Sequence, residues 1–277
     1  MDNNEHRPDG HDQTNDEAHV VMSLGEHLDE LRKYLIRIIL MVTACFIGLL
    51  FLKDFLFSHI ILAPREPWFV TNRMLCKLSA YLGSDALCIN TDALKLINIQ
   101  LAGQFSAHML VTLVASLIIT FPLIIRQLWL FVKPALFPHE IKKFSTFISA
   151  TSLLFICGVL FGYFIVVPVT INFLGTYQVS EGVPNTITLM SYISTVSLIT
   201  LILGIVFQLP VLIFFISRAG LITPEFMRKN RKIVIVIIFI VAAIITPPDA
   251  FSQIMVALPL YVLYEISIYI CRKHRRI

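Results

Sequence analysis

The chain alternates between six long apolar runs and shorter polar links. An α-helix needs about 20 residues to cross the ~30 Å hydrocarbon core of a bilayer, and most of the runs reach that length. The fifth run is several residues too short, so it requires local thinning of the bilayer or a docked partner. The pattern predicts an all-α membrane protein with six transmembrane helices. The runs cover roughly residues 34–52, 107–131, 144–167, 193–217, 233–246 and 251–270.

Composition supports the membrane class. The 277 residues are 57% hydrophobic and 14% charged, whereas a soluble domain is about 45–50% apolar and about 25% charged. The formal net charge of +4 comes from short basic clusters between the apolar runs. Such clusters indicate topology rather than binding to nucleic acid. No internal repeat is visible, and residues 22–271 are predicted to form one membrane domain in the lipid bilayer.

The distribution of Lys and Arg predicts the orientation of the chain. Basic links between transmembrane helices favour the cytoplasmic side. The links after the second and fourth runs are basic, and the link at about 168–192 has neither Lys nor Arg. We therefore expect a multi-pass protein of the cytoplasmic (inner) membrane with both termini in the cytoplasm. Its further parts would be a disordered cytoplasmic tail at 1–21, a long external loop at 53–106 and a basic tail at 272–277.

Enzyme and cofactor motifs are missing from the sequence. It contains no P-loop, no G-x-G-x-x-G, no H-E-x-x-H and no G-x-S-x-G elbow. The eight histidines are scattered without the spacing of metal ligands. The sequence therefore predicts a protein that is not an enzyme and has no cofactor and no metal. Its work would be binding and gating, or would draw on a membrane gradient.

Two polar residues lie within the apolar runs and are candidate functional residues. Gln208 follows an apolar stretch in "GIVFQLPV", and Glu265 lies in "LYEIS". Polar groups inside a membrane are costly and mark functional sites by default. Gln208 has the alternative role of a hydrogen bond between helices. Glu265 has the alternative of facing lipid headgroups or pairing with Arg272.

The predicted external loop contains a candidate disulfide. Cys76 and Cys88 are 12 positions apart, and the other three cysteines lie in or beside apolar runs. An oxidising exterior permits a bond between the two loop cysteines. The alternative is two unpaired thiols packed into the loop. The end of this loop, "LKLINIQLAGQFSAHML" at 94–110, is predicted to be helical and to lie along the membrane surface.

The stretch "SLGEHLDELRKYL" at 23–35 places three acids before the first apolar run. Ser23 and Glu26 have the spacing of a capping box, which accounts for Glu26. Asp29 precedes Lys33 by four positions, which accounts for Asp29 as a helical ion pair. Glu30 is left without a local role.

Six motifs follow one another along the chain from about residue 22 to 270. They are "HLDELRKYL", "RQLWLFVKPALFPHE", "LLFICGVLFGYFIVVPV", "FQLPV", "LITPEFMRKNRK" and "ITPPDAFSQIMVALPLYVLYE". In sequence and in order they resemble the motifs of the TatC family, the multispanning subunit of the twin-arginine protein translocase. The resemblance implies six helices in a curved, glove-like bundle that recognises twin-arginine signal peptides on folded passengers. It further implies single-span partners of the TatA and TatB types and transport driven by the proton-motive force.

The resemblance also assigns individual positions. It carries over acids, apolar contacts and loop residues of the family motifs, and the matching positions are Glu30, Leu31, Pro64, Phe131, Glu140, Asp249, Gln253 and Glu265. The chain departs from the family at Gln208, where some members carry glutamate. It departs again in its longer first external loop. Asp249 has the alternative role of capping the last helix.

The candidate signal-peptide site consists of two acids and two apolar residues. A pair of arginines needs carboxylate acceptors, because guanidinium forms bidentate, charge-assisted bonds. We expect Glu30 and Glu140 to receive the arginines, with Leu31 and Phe131 contacting apolar signal residues. The remaining candidates are expected to dock partner subunits or to act in gating, and they are Gln208, Pro64, Asp249, Gln253 and Glu265. The protein is also expected to associate with itself. The alternative function is a gradient-driven transporter of small solutes, which would favour repeats and midplane charges.

Overall fold

The structure is a computed structural model of the chain. It describes residues 24–83, 88–90, 94–132, 144–178, 180, 185–218, 220, 222–246 and 250–274. Two predicted site residues, Glu140 and Asp249, lie outside the described residues, as do the predicted tail at 1–21 and residues 275–277.

Helices make up nearly all of the described chain. They form because long runs of Leu, Ile, Val and Phe carry few charges, and in a membrane only a helix satisfies its own backbone groups. The α-helices are α1 (Leu24–Leu50), α2 (Lys53–Phe55), α3 (Val70–Leu82), α4 (Gly103–Val132), α5 (Phe144–Phe161), α6 (Val167–Thr176), α7 (Leu189–Val206), α8 (Leu209–Arg218), α9 (Pro224–Lys229), α10 (Arg231–Ile245) and α11 (Ala250–His274).

Five helical segments of the described chain are long and apolar enough to cross a membrane. They are Asp29–Leu50, Gly103–Phe131, Phe147–Thr176, Leu189–Ser217 and Ser252–Arg272. The fifth apolar run of the sequence forms α10, which has 15 residues. At 1.5 Å per residue α10 is about 22 Å long, so it falls short of the ~30 Å hydrocarbon core. The structure thus agrees with the sequence that this helix is short.

Several of the long segments are interrupted near prolines. A π-helical turn, Gly162–Val166, joins α5 to α6 just before Pro168. The turn at Phe207 and Gln208 separates α7 from α8, because Pro210 has no N–H to donate to the preceding turn. By contrast, α4 continues through Pro122 and α11 through Pro259.

Helices α1 and α4 run antiparallel, as ring contacts at both ends demonstrate. Tyr34 of α1 meets Phe131 near the end of α4, with ring centroids 6.1 Å apart. Phe57, just beyond α1, meets His108 near the start of α4 at 6.0 Å. We call the end of the bundle where α1 begins and α4 ends, marked by Tyr34 and Phe131, the terminal end. The opposite end, which carries α3, is the cap end.

Glycines allow α5 and α7 to approach closely in the centre of the bundle. A Cβ on Gly158 would lie 2.6 Å from the carbonyl oxygen of Leu203. A Cβ on Gly204 would lie 2.8 Å from the Phe155 ring, which is fully buried. Small residues at such contacts let membrane helices pack backbone against backbone. This packing fixes the break at Gln208 against α5.

The cap end contains a short parallel β-ladder, which corrects one prediction. β1 (Leu96–Ile97) pairs with β2 (Ile187–Thr188), with Leu96 opposite Ile187. The sequence predicted a helix over 94–110, but α4 begins only at Gly103. β-branched residues favour extended backbone, and the partner strand lies about 90 positions away in sequence. A pattern of neighbouring residues therefore could not predict this pairing.

Candidate functional site

The terminal end brings together three of the four predicted signal-peptide residues. Glu30 and Leu31 lie on the first turns of α1, and Phe131 lies on the last turn of α4. Glu30 and Phe131 are half-buried, and Leu31 is 37% exposed. The antiparallel packing of α1 against α4 places these residues at the same end of the bundle. The fourth predicted residue, Glu140, follows α4 outside the described residues.

Tyr34 is the member of this surface that the sequence interpretation missed. It lies four residues after Glu30, so both side chains share one face of α1. Its ring meets Phe131 edge-on, and the Arg37 guanidinium lies 5.6 Å above the same ring. The surface therefore combines an acid, two aromatic rings and an aliphatic side chain. The signal that could have revealed Tyr34 was an aromatic residue one turn beyond the unexplained acid.

Pro64 lies at the cap end, in a buried 3₁₀ turn spanning Ala63–Arg65. Its carbonyl oxygen accepts a hydrogen bond of 3.0 Å from the side-chain amide of Asn72, which also donates to Glu66 O at 2.9 Å. Asn72 is 1% exposed. Sequence analysis gave no sign of Asn72, because its partners lie six and eight residues away in an irregular turn.

Asn90 extends this network to the far side of the cap. Its side-chain amide donates to Asn72 Oδ1 and to Pro168 O, both at 3.2 Å. Its backbone N–H donates to Asn172 Oδ1 at 3.1 Å. Asn90 has a φ of 50°, a left-handed conformation that asparagine tolerates better than most residues. The network ties the turn containing Pro64 to α6.

A disulfide joins Cys76 and Cys88, with the two Cα atoms 4.1 Å apart. Cys76 lies on α3, one turn after Asn72, and Cys88 lies two residues before Asn90. The bond therefore fastens the segment carrying Asn90 to the helix carrying Asn72.

Two tyrosines hold the preceding π-helical turn, Leu56–Ile61. Tyr163 donates its hydroxyl to Ile60 O at 2.7 Å, and Tyr192 donates to Ile61 O at 2.9 Å. Both bonds connect this turn to helical segments more than 100 residues away in sequence. The turn that contains Pro64 is therefore held by the Asn72 side chain and, through the preceding π-helical turn, by the two tyrosines.

Gln208 forms a hydrogen bond between helices. Its side-chain amide donates to Thr151 O of α5 at 3.2 Å. Among the described residues, Gln208 Oε1 and the neighbouring Thr151 Oγ1 are buried without a hydrogen-bond partner. The bond agrees with the interhelical role considered for Gln208 from the sequence. The unpartnered oxygen leaves the amide able to accept a further bond.

Glu265 pairs with a different arginine from the one considered in the sequence. Its Oε2 accepts from the Arg231 guanidinium at 2.8 Å, and its Oε1 accepts from the Tyr261 hydroxyl at 3.1 Å. Arg231 is the first residue of α10. Tyr264 adds a bond of 2.8 Å to Met227 O. The Glu265–Arg231 bond closes the hairpin of α10 and α11 at the terminal end, and the Tyr264 bond connects α11 to α9.

Gln253 connects the same two helices nearer the other end. Its side-chain amide donates to Phe239 O of α10 at 3.1 Å. Gln253 and Glu265 therefore both connect α11 to α10, while Gln208 lies at the α5 contact. The structure does not unite these three predicted partner-docking residues in one cluster. Among the described residues, no group of three His, Cys, Asp or Glu side chains could hold a metal ion.

The fold and these surfaces define a polytopic α-helical membrane protein with polar residues at helix contacts and at both ends of the bundle. Residues 26–259 match the family model for the Sec-independent protein translocase protein TatC, and the chain belongs to this family. The family assignment made from the sequence motifs is confirmed.

Relatives and solved structures agree with this assignment. The chain is similar to TatC of Blattabacterium from Periplaneta americana, with 37% identity over 251 residues, covering 90% of this chain and 94% of the relative. It is 34% identical over 246 residues to TatC of Escherichia coli K12, covering 89% and 86%. The crystal structure of the twin-arginine translocase receptor TatC in DDM matches with a TM-score of 0.68 and 31% identity, covering 88% of this chain and 99% of that one. The all-α fold expected from the sequence is thus confirmed.

Proposed function

We propose that this protein binds twin-arginine signal peptides and helps move folded proteins across the inner membrane, driven by the proton-motive force. Membership of the TatC family supports the translocase role. A related crystal structure carries the name of a twin-arginine translocase receptor. The observation that carries the signal-peptide assignment is that Glu30 lies one helical turn before Tyr34, whose ring contacts Phe131 at the terminal end.

The proposed topology has six transmembrane helices and both termini in the cytoplasm. The terminal end is then cytoplasmic and the cap end external, as the distribution of Lys and Arg favours. The Cys76–Cys88 bond suits an oxidising exterior. On this topology α10 crosses the membrane despite its length of about 22 Å, so the bilayer would thin around it.

The two arginines of the signal would bind Glu30 and Glu140. Each guanidinium offers paired N–H donors that match a carboxylate, so geometry would distinguish arginine from lysine. Phe131, Tyr34 and Leu31 supply apolar surface beside Glu30 for the neighbouring signal residues.

Single-span partners of the TatA and TatB types would dock along the helices that carry the polar residues. Gln208 is half-buried at the break between α7 and α8, and a polar group on a partner helix could form a hydrogen bond with its side chain. Glu265, Gln253, Asp249 and Pro64 are the further proposed docking or gating positions. An amide at 208 carries no titratable proton, so its contribution would be hydrogen bonding alone.

A crosslinking experiment tests the signal-peptide assignment. The ligand is a synthetic twin-arginine signal peptide with a photoreactive side chain next to the arginine pair, added below saturation to purified protein. Because hydrogen bonds to charged groups contribute about 1.5–3 kcal/mol, Glu30→Gln should lower the crosslinked yield roughly tenfold. Asp29→Asn is the matched control, since Asp29 is an exposed acid on the same turn. Equal losses in both variants, or none in either, would refute the assignment.

A further inference from the structure

The external face of α3 carries a stripe of exposed apolar side chains. Val70, Met74, Leu78 and Tyr81 are 57%, 66%, 47% and 89% exposed. With 3.6 residues per turn they lie within an arc of about 80° on the helix. Trp68, 60% exposed, precedes the helix. An apolar stripe of this size on an extramembrane helix requires a partner surface.

The opposite face of α3 is fixed, so the helix cannot rotate to bury the stripe. Asn72 and Ser79 are 1% and 2% exposed, and Asn72 bonds to the turn containing Pro64. Cys76, on the same side, is joined to Cys88. These anchors hold the stripe directed away from the bundle.

The start of α3 lies close to the level where the hydrocarbon core ends. Phe69 stacks on Phe164 with ring centroids 5.5 Å apart, and the Thr71 hydroxyl donates to Phe164 O. Phe164 is 17 residues beyond Phe147, where the apolar segment begins, which corresponds to about 26 Å along the helix. The hydrocarbon core is about 30 Å thick. Helix α3 therefore begins near the membrane boundary.

The residues beside the stripe fit a lipid surface. Arg73 and Lys77 are exposed on the edge next to Val70, and α3 contains no acidic residue. Basic side chains beside an apolar face are typical of helices that lie in the membrane interface. Tyr81 and Trp68 are aromatic types enriched at this level.

We infer that α3 lies in the headgroup region of the outer leaflet, with its apolar stripe inserted and Arg73 and Lys77 bound to lipid phosphates. The disulfide and the Asn72–Asn90 bond then hold the external cap at a fixed height above the membrane. This inference rests on the membrane placement of the chain and on the proposed orientation, and it does not depend on signal-peptide binding.

Photocrosslinking from two positions of α3 tests the inference. A benzoylphenylalanine is placed at Met74, on the stripe, or at Ala80, an exposed position about 120° away on the helix. Each full-length protein is reconstituted in vesicles of phosphatidylethanolamine and phosphatidylglycerol, irradiated and weighed by mass spectrometry. The lipid-adduct fraction should be several times higher at position 74 than at position 80.

Other occupants of the stripe would give different products. A crosslinked dimer from position 74 would identify a second copy of the chain, and a lipid-adduct fraction at position 74 no higher than at position 80 would show that lipid does not selectively contact the stripe. Either result overturns the inference. In the position-74 protein, Arg73→Gln with Lys77→Gln should lower the share of phosphatidylglycerol among the adducts, and an unchanged share would refute the phosphate contacts. Signal-peptide crosslinking at the terminal end should be unaffected, which separates this test from that of the proposed function.

Discussion

The side-chain amide of Asn90 donates to Asn72 Oδ1 across 3.2 Å and so joins two segments that are 18 residues apart. Both asparagines are almost fully buried. Each also bonds to backbone carbonyls, Asn72 to Pro64 and Glu66 and Asn90 to Pro168. Together with the Cys76–Cys88 disulfide, the pair therefore helps to position the first loop on the helices.

Asn72→Leu should destabilise the protein strongly. The substitution removes the donors to two carbonyls and leaves one of the two N–H groups of the Asn90 amide without its acceptor. Each buried unsatisfied group costs about 1–3 kcal/mol. We expect a clearly lower midpoint of thermal unfolding in detergent. Asn98→Ala is the matched control, because Asn98 is exposed and makes only a local bond to Gln100 O. Equal midpoints for the two variants would contradict the role of the network.

Loss of the disulfide should loosen the same region. Closing a loop of this size stabilises a chain by roughly 3 kcal/mol in the chain-entropy model, so Cys76→Ser with Cys88→Ser should lower the unfolding midpoint. In intact, unreduced cells a thiol reagent should fail to label Cys76 and Cys88, and it should label both after reduction. Cys157, an exposed free cysteine, is the internal control for labelling in detergent. Labelling of both loop cysteines without reductant would show that the bond does not form.

The sequence predicted features that depend on neighbouring residues and missed those that depend on distant ones. Run length and hydropathy located the membrane helices because crossing a bilayer is a local requirement. The β1–β2 pair and the Asn72–Asn90 bond join distant segments, and no periodicity marks them. Glu265 illustrates the difference. The sequence suggested Arg272, one of the nearest arginines along the chain, whereas the fold brings Arg231 from 34 residues away.

The Glu265–Arg231 pair should contribute modestly to the stability of the α10–α11 hairpin. Its side chains are 32% and 43% exposed, and exposed ion pairs contribute about 0.2–1 kcal/mol. A double-mutant cycle with Glu265→Gln and Arg231→Gln, measured by thermal unfolding, should give a coupling energy in that range. The same cycle with Arg272→Gln in place of Arg231→Gln should give none. Coupling of Glu265 to Arg272 and not to Arg231 would show that Arg272 is its partner.

Substitutions at Gln208 should distinguish hydrogen bonding from packing. Gln208→Glu keeps the side-chain acceptor, so it should retain assembly with a single-span partner even though its carboxylate cannot donate to Thr151 O. Gln208→Leu removes both donor and acceptor and should weaken that assembly by about 1 kcal/mol, as for interhelical bonds in membranes. Co-purification of the partner measures the effect. Thr151→Val is the control, because it removes the neighbouring hydroxyl and keeps the Thr151 carbonyl that Gln208 contacts. If Gln208→Leu assembles and transports normally, the residue only fills space.

Peptide binding by the Glu30→Gln, Glu140→Gln double variant should show whether the two acids bind one arginine of the signal peptide or two. If each carboxylate receives one arginine, Glu30→Gln and Glu140→Gln remove separate bonds, and their effects on peptide binding add. If both hold a single guanidinium, the second substitution costs much less than the first. Binding is measured by titrating crosslinking with twin-arginine peptide, and with peptides in which either arginine is lysine.

The peptide series assigns each acid to its arginine. A carboxylate variant should lose discrimination only at the arginine that it binds, because lysine cannot reproduce the bidentate contact. Phe131→Ala should instead weaken all peptides alike, since its ring contacts Tyr34 and offers apolar surface without charge. Crosslinking of the Glu30→Gln, Glu140→Gln protein at the level of the unmodified chain would show that the two acids serve only α1 and the segment after α4.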